Sequence, residues 1–458
     1  MSETQGAPVG LDDVARRELA RWKVPGLAVA VLRDGAVDAR AYGITSLETR
    51  QPVTPETLFQ IGSVSKVFTA TLVMRLVEEG LLDLDQPVAT YLPDLRLADE
   101  TAPQTITLRH LLTHSSGIEG DRFENLYGVG DDALAKAVAE FQTLRQVTTP
   151  GSLWTYSNNA FSLAGAIVER VLGTPFETAM SERIFAPLKM IRSFYFAHEA
   201  ITYPVAVGHT QPPDADPEIA RNYPLPRYVN PAGGIISPVG DLLRFATFHL
   251  GDGTAEETRL LSQAALRAMQ TPQIPAANFA TAYGLGWAIY RDDEAKVLGH
   301  GGSTNGFQAQ LTLVPAQGFA IAQLTNSDRG SKVIRGIEDW ALHRYCGLQR
   351  HDPATISMST ADLARFAGRY RTRYTESVVT PEDGGLRLDF SARSVLANTV
   401  TTYPPMTVKP ISNREFIGTE GEARSMRIDF IGEAGDPPRR LRAGGRIAER
   451  VDDSVGPL

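Results

Sequence analysis

Strand-forming segments gather at two distant places in this chain, with a largely helical stretch between them. At the near end, the apolar runs 27–32 and 36–42 flank Arg33-Asp34-Gly35, where Asp-Gly supplies the positive φ angles of a tight hairpin turn. At the far end, residues 283–290, 296–299, 307–314 and 319–324 form short apolar runs. These are broken by Asp292-Asp293 and Pro315-Ala-Gln-Gly318, the texture of an antiparallel meander. An apolar sheet face needs a partner layer, and helices at both ends can supply it. Leu11, Val14, Leu19 and Trp22 recur at helical spacing until Pro25-Gly26 stops them, and residues 331–345 read as a closing helix. Placed on one face of a shared sheet, the two ends build a single layer. The fold class expected is α/β: an antiparallel sheet flanked by helices, with a helical subdomain of roughly residues 63–250 inserted beside it.

After His351-Asp-Pro353 the texture changes. Short strand-like runs such as Leu386-Arg-Leu-Asp-Phe390 and Ser425-Met-Arg-Ile-Asp-Phe430 alternate with turns. The expected domains are therefore 1–352 and 353–458, the second a small all-β barrel or sandwich. A length of 458 residues, against a prior of about 150 per domain, leaves room for both.

Composition removes several function classes. The 45 Lys and Arg stand against 53 Asp and Glu, a net charge of −8 with no basic run, so a nucleic-acid partner or an acidic membrane surface is not expected. The single cysteine, Cys346, excludes an intrachain disulfide and a Cys-based zinc site. No basic, then apolar leader opens the chain, and its longest apolar run, 27–32, is too short to span a bilayer, so a cytoplasmic protein is expected. With neither a P-loop nor a G-x-S-x-G elbow, no nucleotide and no α/β-hydrolase site is expected.

The chemistry begins at Gly62-Ser63-Val64-Ser65-Lys66, which opens the periodic stretch Val67, Leu72, Val73, Leu76, Val77 before Gly80. Residues three apart share a helix face, so the Lys66 amine can lie beside the Ser63 hydroxyl at a helix N-terminus, where free N–H groups favour a negative oxygen. Arginine could accept no proton there. Only seven of the basic residues are lysine, and only Lys66 has a serine three places before it. A bare S-x-x-K also fits a helix cap beside an exposed charge, so context decides. Gly151-Ser-Leu-Trp-Thr-Tyr156-Ser157-Asn158 supplies it, a turn before a second periodic helix that presents Tyr156 and Asn158 on one side. His300-Gly301-Gly302-Ser303 follows at a strand end, where glycine lets a substrate approach and the Ser303 amide can face an oxyanion.

These three elements, in this order, resemble the penicillin-recognising serine hydrolases: class C β-lactamases, DD-peptidases, D-aminopeptidases and β-lactamase-like carboxylesterases. Thr57-Leu-Phe-Gln-Ile-Gly-Ser-Val-Ser-Lys66, Leu111-Leu-Thr-His-Ser-Ser-Gly117 and Pro231-Ala-Gly-Gly234 extend the likeness over roughly residues 10–350. The resemblance implies a β-lactamase/transpeptidase-like fold and an acyl-enzyme on Ser63, with Lys66 and Tyr156 transferring protons. Asn158 would orient Lys66 and bind substrate, and the amides of Ser63 and Ser303, beside Gly302, would form the oxyanion hole. No cofactor and no metal are implied. His300 stands where many relatives carry lysine, which points towards the peptidase, aminopeptidase and esterase branches and weakens the anchoring of a substrate carboxylate. The expected substrate is a small amide, peptide or ester. An acyltransferase shares every residue, and a non-catalytic penicillin-binding or peptide-sensing relative is the reading from another class.

Further expectations attach to single residues. His300 should titrate near neutrality and make activity respond between about pH 6 and 8. Tyr228-Val-Asn230 repeats Y-x-N inside the Pro-rich stretch 203–231, and Tyr228 could line the pocket instead of catalysing. His110 and His114 read as structural rather than as a metal pair, since no third ligand accompanies them. The loops 121–132 and 203–231 should shape the pocket. Residues 361–370 resemble the entry to the lipocalin-like domain of some D-aminopeptidases, which can put a loop over the active-site mouth; residues 381–385 or 401–405 would be that loop. A stability module or homo-oligomer contact is the competing role for the tail.

Overall fold

The computed structural model describes residues 10–458 except 124–126, 213–214, 224, 294, 395–398, 434–435, 453, 455 and 457, so parts of the two expected pocket loops lie outside the described residues. The first unit runs α1 (Leu11–Trp22), β1 (Gly26–Arg33), β2 (Ala36–Gly43), α2 (Ser65–Glu78), α3 (Asn158–Leu172), α4 (Val239–Leu250), β3 (Ala282–Tyr283), β4 (Ala288–Asp292), β5 (Ala295–Thr304), β6 (Phe307–Val314), β7 (Phe319–Thr325) and α5 (Gly330–Ala341), with short turns and helices between. The strands form one sheet in the order β2-β1-β7-β6-β5-β4-β3. β1 pairs antiparallel with both β2 and β7, so the near hairpin and the far meander do share a sheet. The run expected over 283–290 is split, because the chain turns at Gly284-Leu285-Gly286 before β4.

β1 is buried on both faces, and from Leu27 to Val31 its side chains sort by size. Leu27, Val29 and Val31 pack with Leu11, Val14, Val333 and Ile337 of α1 and α5, while Ala28 and Ala30 face the larger core that holds Val67, Phe68 and Phe245 of α2 and α4. A one-residue slip would exchange the large and small sets, which fixes the register. Ser65 to Met74 of α2 are buried all round except for the turn that reaches solvent later at Val77, as expected of a helix in the middle of a large core.

Three contacts hold the entry to α2. Phe59–Gln60 pairs with Ile236–Ser237. The Ser65 hydroxyl accepts from the Ile235 amide at 3.1 Å, and the Thr69 hydroxyl donates to the Pro231 carbonyl at 2.6 Å. The third contact is with β5: a Cβ at Gly302 would lie 1.9 Å from the Ile61 carbonyl oxygen and 3.0 Å from the Ser63 nitrogen. Glycine at 302 thus admits the turn that carries Ser63, where the sequence had suggested room for substrate.

The second unit holds β8 (Gly368–Arg371), β9 (Thr375–Glu382), β10 (Gly385–Ser394), β11 (Thr399–Thr402), β12 (Met406–Pro410), β13 (Glu415–Gly418), β14 (Arg427–Ile431), β15 (Arg440–Ala443) and β16 (Arg446–Val451). Eight of them close into a barrel in the order β9-β8-β16-β15-β14-β13-β12-β10, with β10 pairing back to β9 and β11 attached to the outer end of β10. Closure removes the exposed edges of the sheet. Its core is separate, with Tyr370, Phe416, Phe430 and Leu441 inside, Leu363 plugging it from the helix Thr360–Ala364 and Phe366 from the turn that follows.

The barrel meets the first unit through the turn between β15 and β16. The Gly445 carbonyl accepts from the Tyr156 amide at 2.8 Å, and Gly445 has φ +77 with Trp154 ring carbons 3.0 and 3.1 Å from where a Cβ would stand. Arg442, gripped by Asp429 through two bonds of 2.9 Å, donates to the Trp154 carbonyl at 2.6 Å. Arg373 pairs with Glu119 at 2.7 Å beside them. The segments 381–385 and 401–405 line no part of the cleft around Ser63, so the loop expected over the mouth is replaced by Gly444-Gly445. Among the described residues no helix is long and apolar enough to cross a membrane.

The contact at Gly302 predicts that Gly302→Ala destabilises the protein by about 1–3 kcal/mol, the usual cost of overpacking, read as a lower urea midpoint. Gly240→Ala on α4, where a Cβ meets nothing within 4 Å, should not lower the midpoint and should raise it slightly, as glycine is replaced by a better helix former.

Candidate active site

Ser63 lies in the single turn Gly62–Val64 that leads into α2, and Lys66 follows one turn later. Asn158 begins α3, whose first turn is capped by the Ser157 hydroxyl accepting from the Ala160 amide at 3.0 Å. β5 brings His300, Gly302 and Ser303 alongside. All seven residues singled out in the sequence therefore meet at the junction of α2, α3 and β5, and Ser63, Tyr156, Asn158, His300, Gly302 and Ser303 line one cleft of about 980 Å³.

Lys66 is fully buried, and its amine has three partners: Ser63 Oγ at 3.1 Å, Asn158 Oδ1 at 2.6 Å and the Ala232 carbonyl at 2.6 Å. Two of those oxygens can only accept. A neutral amine has two N–H groups and one lone pair, so donation to Asn158 and Ala232 leaves the lone pair for the Ser63 hydroxyl to donate into. Burial holds the Lys66 pKa well below 10.5, and the charge of Arg446 lowers it further against the opposing pull of Asp121. The Tyr156 hydroxyl also bonds the Ser63 side chain, and burial raises its pKa, which keeps it protonated. Tyr156, Ser63 and Lys66 thus stand in one hydrogen-bonded series.

His300 departs from expectation. Its Nδ1 lies 2.7 Å from the Gly301 carbonyl, which can only accept, so Nδ1 carries the proton and Nε2 the lone pair. Nε2 is buried in the site without a protein partner. Burial, helped by the charge of Lys66, pushes the pKa down to about 3, so His300 stays neutral across pH 6–8 and is not the source of a pH response there. Its Nε2 offers an acceptor to whatever enters the cleft.

The remaining candidates resolve locally. Tyr228 is buried with its hydroxyl on the Arg122 carbonyl at 2.8 Å and lines neither the cleft nor the cavity beside it. His114 Nδ1 accepts from the Ser157 amide at 3.0 Å while its ring stacks 4.2 Å from Tyr156. His110 Nδ1 accepts from the Thr107 amide at 3.2 Å, so the two imidazoles serve separate turns.

Two residues escaped the sequence reading. Asp121 accepts from Asn158 Nδ2 at 2.6 Å and pairs with Arg446 Nε at 2.8 Å, and the Arg446 guanidinium sits 4.8 Å from the centre of the Tyr156 ring. Burial works to raise the Asp121 pKa, but Arg446 and the bond from Asn158 overcome it and the carboxylate stays charged. The line Arg446–Asp121–Asn158–Lys66 ties the barrel to the Lys66 amine. No motif marks Arg446, 380 residues along the chain from Lys66, because a hairpin tip becomes part of a site only through docking.

The Beta-lactamase family model matches residues 11–344. Penicillin-binding protein 4 of Amycolatopsis lactamdurans is 39% identical over 356 residues, 76% of this chain and 93% of that protein. The crystal structure of SurE, 26% identical, matches with a TM-score of 0.74 over 96% of this chain and 98% of that one, and a second SurE structure holds D-Leu. An octameric penicillin-binding protein homologue from Pyrococcus abyssi, 25% identical, matches with a TM-score of 0.66 over the same shares. Both extend through the barrel. The family match and the identity to penicillin-binding protein 4 together make this chain a member of the Beta-lactamase family, whose members are serine hydrolases.

Proposed function

We propose that Ser63 carries an acyl-enzyme and that the protein cleaves amide bonds of small D-aminoacyl or peptide substrates, with activated esters as faster surrogates. The observation that supports this most is the partner set of Lys66, which leaves its lone pair to Ser63. In the reading, Oγ attacks the substrate carbonyl as its proton passes to Lys66 Nζ. The oxyanion forms between the Ser63 and Ser303 amides. Tyr156 gives its proton to the departing nitrogen and recovers one at the expense of the Lys66 ammonium; water then enters by the reverse path. D-Leu in SurE supports a D-residue in the substrate. The neutral acceptor of His300 suits an N–H or O–H group rather than a carboxylate. We also propose a domain boundary near residue 352, and the octameric neighbour supports self-association.

A fluorophosphonate probe, with mass mapping and a panel of D- and L-aminoacyl nitroanilides and p-nitrophenyl esters, tests the reading. Ser63 should carry the label, and Ser63→Ala should lose it and at least about 10⁴-fold of turnover with unchanged circular dichroism. Removing Lys66 as well should add little. A label elsewhere, or an active Ser63→Ala, would refute the mechanism.

Lys66 works as a base only when neutral, so kcat/KM should rise with pH through the Lys66 pKa. Arg446 lowers that pKa and Asp121 raises it. Arg446→Gln should therefore move the acid limb to higher pH, and Asp121→Asn should move it the other way. A pH–rate profile unchanged in Arg446→Gln counts against Lys66 as the base.

A further inference from the structure

Two spaces meet at Ser303, and they differ in what they can do to a proton. The cleft that contains Ser63 also contains Tyr156 and His300. A second cavity of about 900 Å³ opens beside it, and Phe123, Ser303, Gly444 and Arg446 line both. Past that neck, where Arg446 and Asp121 form their ion pair, the walls become mostly apolar, with Arg221, Arg393 and Ser377 among the polar exceptions. Leu225 and Val229 come from the catalytic unit, and Leu388, Phe390, Met406 and Met426 from the barrel. Phe123 and Tyr374 join the two walls, with the Phe123 amide donating to the Tyr374 hydroxyl at 2.9 Å and their rings stacked 6.0 Å apart.

A leaving group departs with a proton and an acceptor arrives with one to lose, so both belong on the side that Tyr156 faces. The acyl part of the substrate is left with the other side. Resting on the acyl-enzyme reading of Ser63, we propose that the junction cavity is the acyl site, half of it built by the barrel, and that it takes aminoacyl or peptidyl donors whose acyl part is extended by an apolar chain. Its volume falls in the range of about 300–1,000 Å³ typical of sites that enclose a drug-sized ligand, far more than a single small acyl group needs. The charged neck holds the polar carbonyl end near Ser303, and the apolar part extends between Leu225 and Met406. The barrel on this account enlarges the acyl specificity of the enzyme, which is the reverse of screening substrates down to small ones.

The test is a series of straight-chain p-nitrophenyl esters from acetyl to decanoyl on the full-length protein. Each buried methylene contributes about 0.8 kcal/mol, close to fourfold, so kcat/KM should rise by at least about tenfold from acetyl to octanoyl before levelling off. Leu225→Arg and Met406→Arg introduce a charge from opposite walls, in different domains and at half-buried positions. In each, the ratio of octanoyl to acetyl ester should fall to within about threefold, with native circular dichroism as the control. If Ser63 takes the fluorophosphonate label but the series is flat in the unsubstituted protein, the acyl-site proposal is overturned while the acyl-enzyme reading stands. A slope that survives both substitutions overturns it as well. Loss of the label from Ser63 overturns the acyl-enzyme reading beneath it.

Discussion

A lysine amine buried without a carboxylate in direct contact is the constraint on which this molecule turns. Removing a charged ammonium from water is costly, and the protein meets Lys66 with two oxygens that can only accept, from Asn158 and Ala232, together with the Ser63 hydroxyl. Those partners can satisfy the amine in either protonation state, and burial favours the neutral one. Each partner comes from a different part of the fold: the start of α3, the Pro231-Ala232 segment, and the turn entering α2. The clamp on α2, with Ser65 and Thr69 bound to the segment around Pro231, keeps the Ala232 carbonyl in reach. The fit of β5 against Ile61 brings Ser303 to the other side of Ser63. Core packing thereby becomes control of a proton.

The barrel joins that control through one hairpin. Gly445 holds the backbone of Tyr156, and Arg446 holds Asp121, which in turn holds Asn158. Arg446 depresses the Lys66 pKa while its partner Asp121 offsets part of the effect, so the charge state of Lys66 depends on a hairpin of the barrel. Nothing comparable is needed for the barrel's own stability, since its aromatic core around Phe416 and Phe430 is closed on itself.

Much of this was legible in sequence because it is local. The hairpin at Asp34-Gly35, the helix over residues 11–22 and the lysine one turn after Ser63 follow from turn chemistry and helical period, and the shared sheet follows from where apolar runs fall. What was not legible is set by tertiary contact. His300 reads as an ordinary histidine until burial and the Gly301 carbonyl fix its proton on Nδ1. Tyr228 matches Y-x-N as well as Tyr156 does, and only packing turns its hydroxyl to the Arg122 carbonyl. The turn-rich segments 381–385 and 401–405 look more able to protrude than Gly444-Gly445, yet the direction in which a barrel docks is decided by pairs such as Arg442 with the Trp154 carbonyl, which no local pattern encodes.

The account stands or falls on the protonation of Lys66 in the resting enzyme. With seven lysines in the chain, the Cε resonances can be followed by carbon NMR over pH and Lys66 assigned by its loss in Lys66→Arg. One resonance should titrate well below the ordinary lysine value of 10.5, and its midpoint should coincide with the acid limb of kcat/KM. A Lys66 that titrates with the exposed lysines, or a midpoint unrelated to the limb, would contradict the neutral base at the centre of the mechanism.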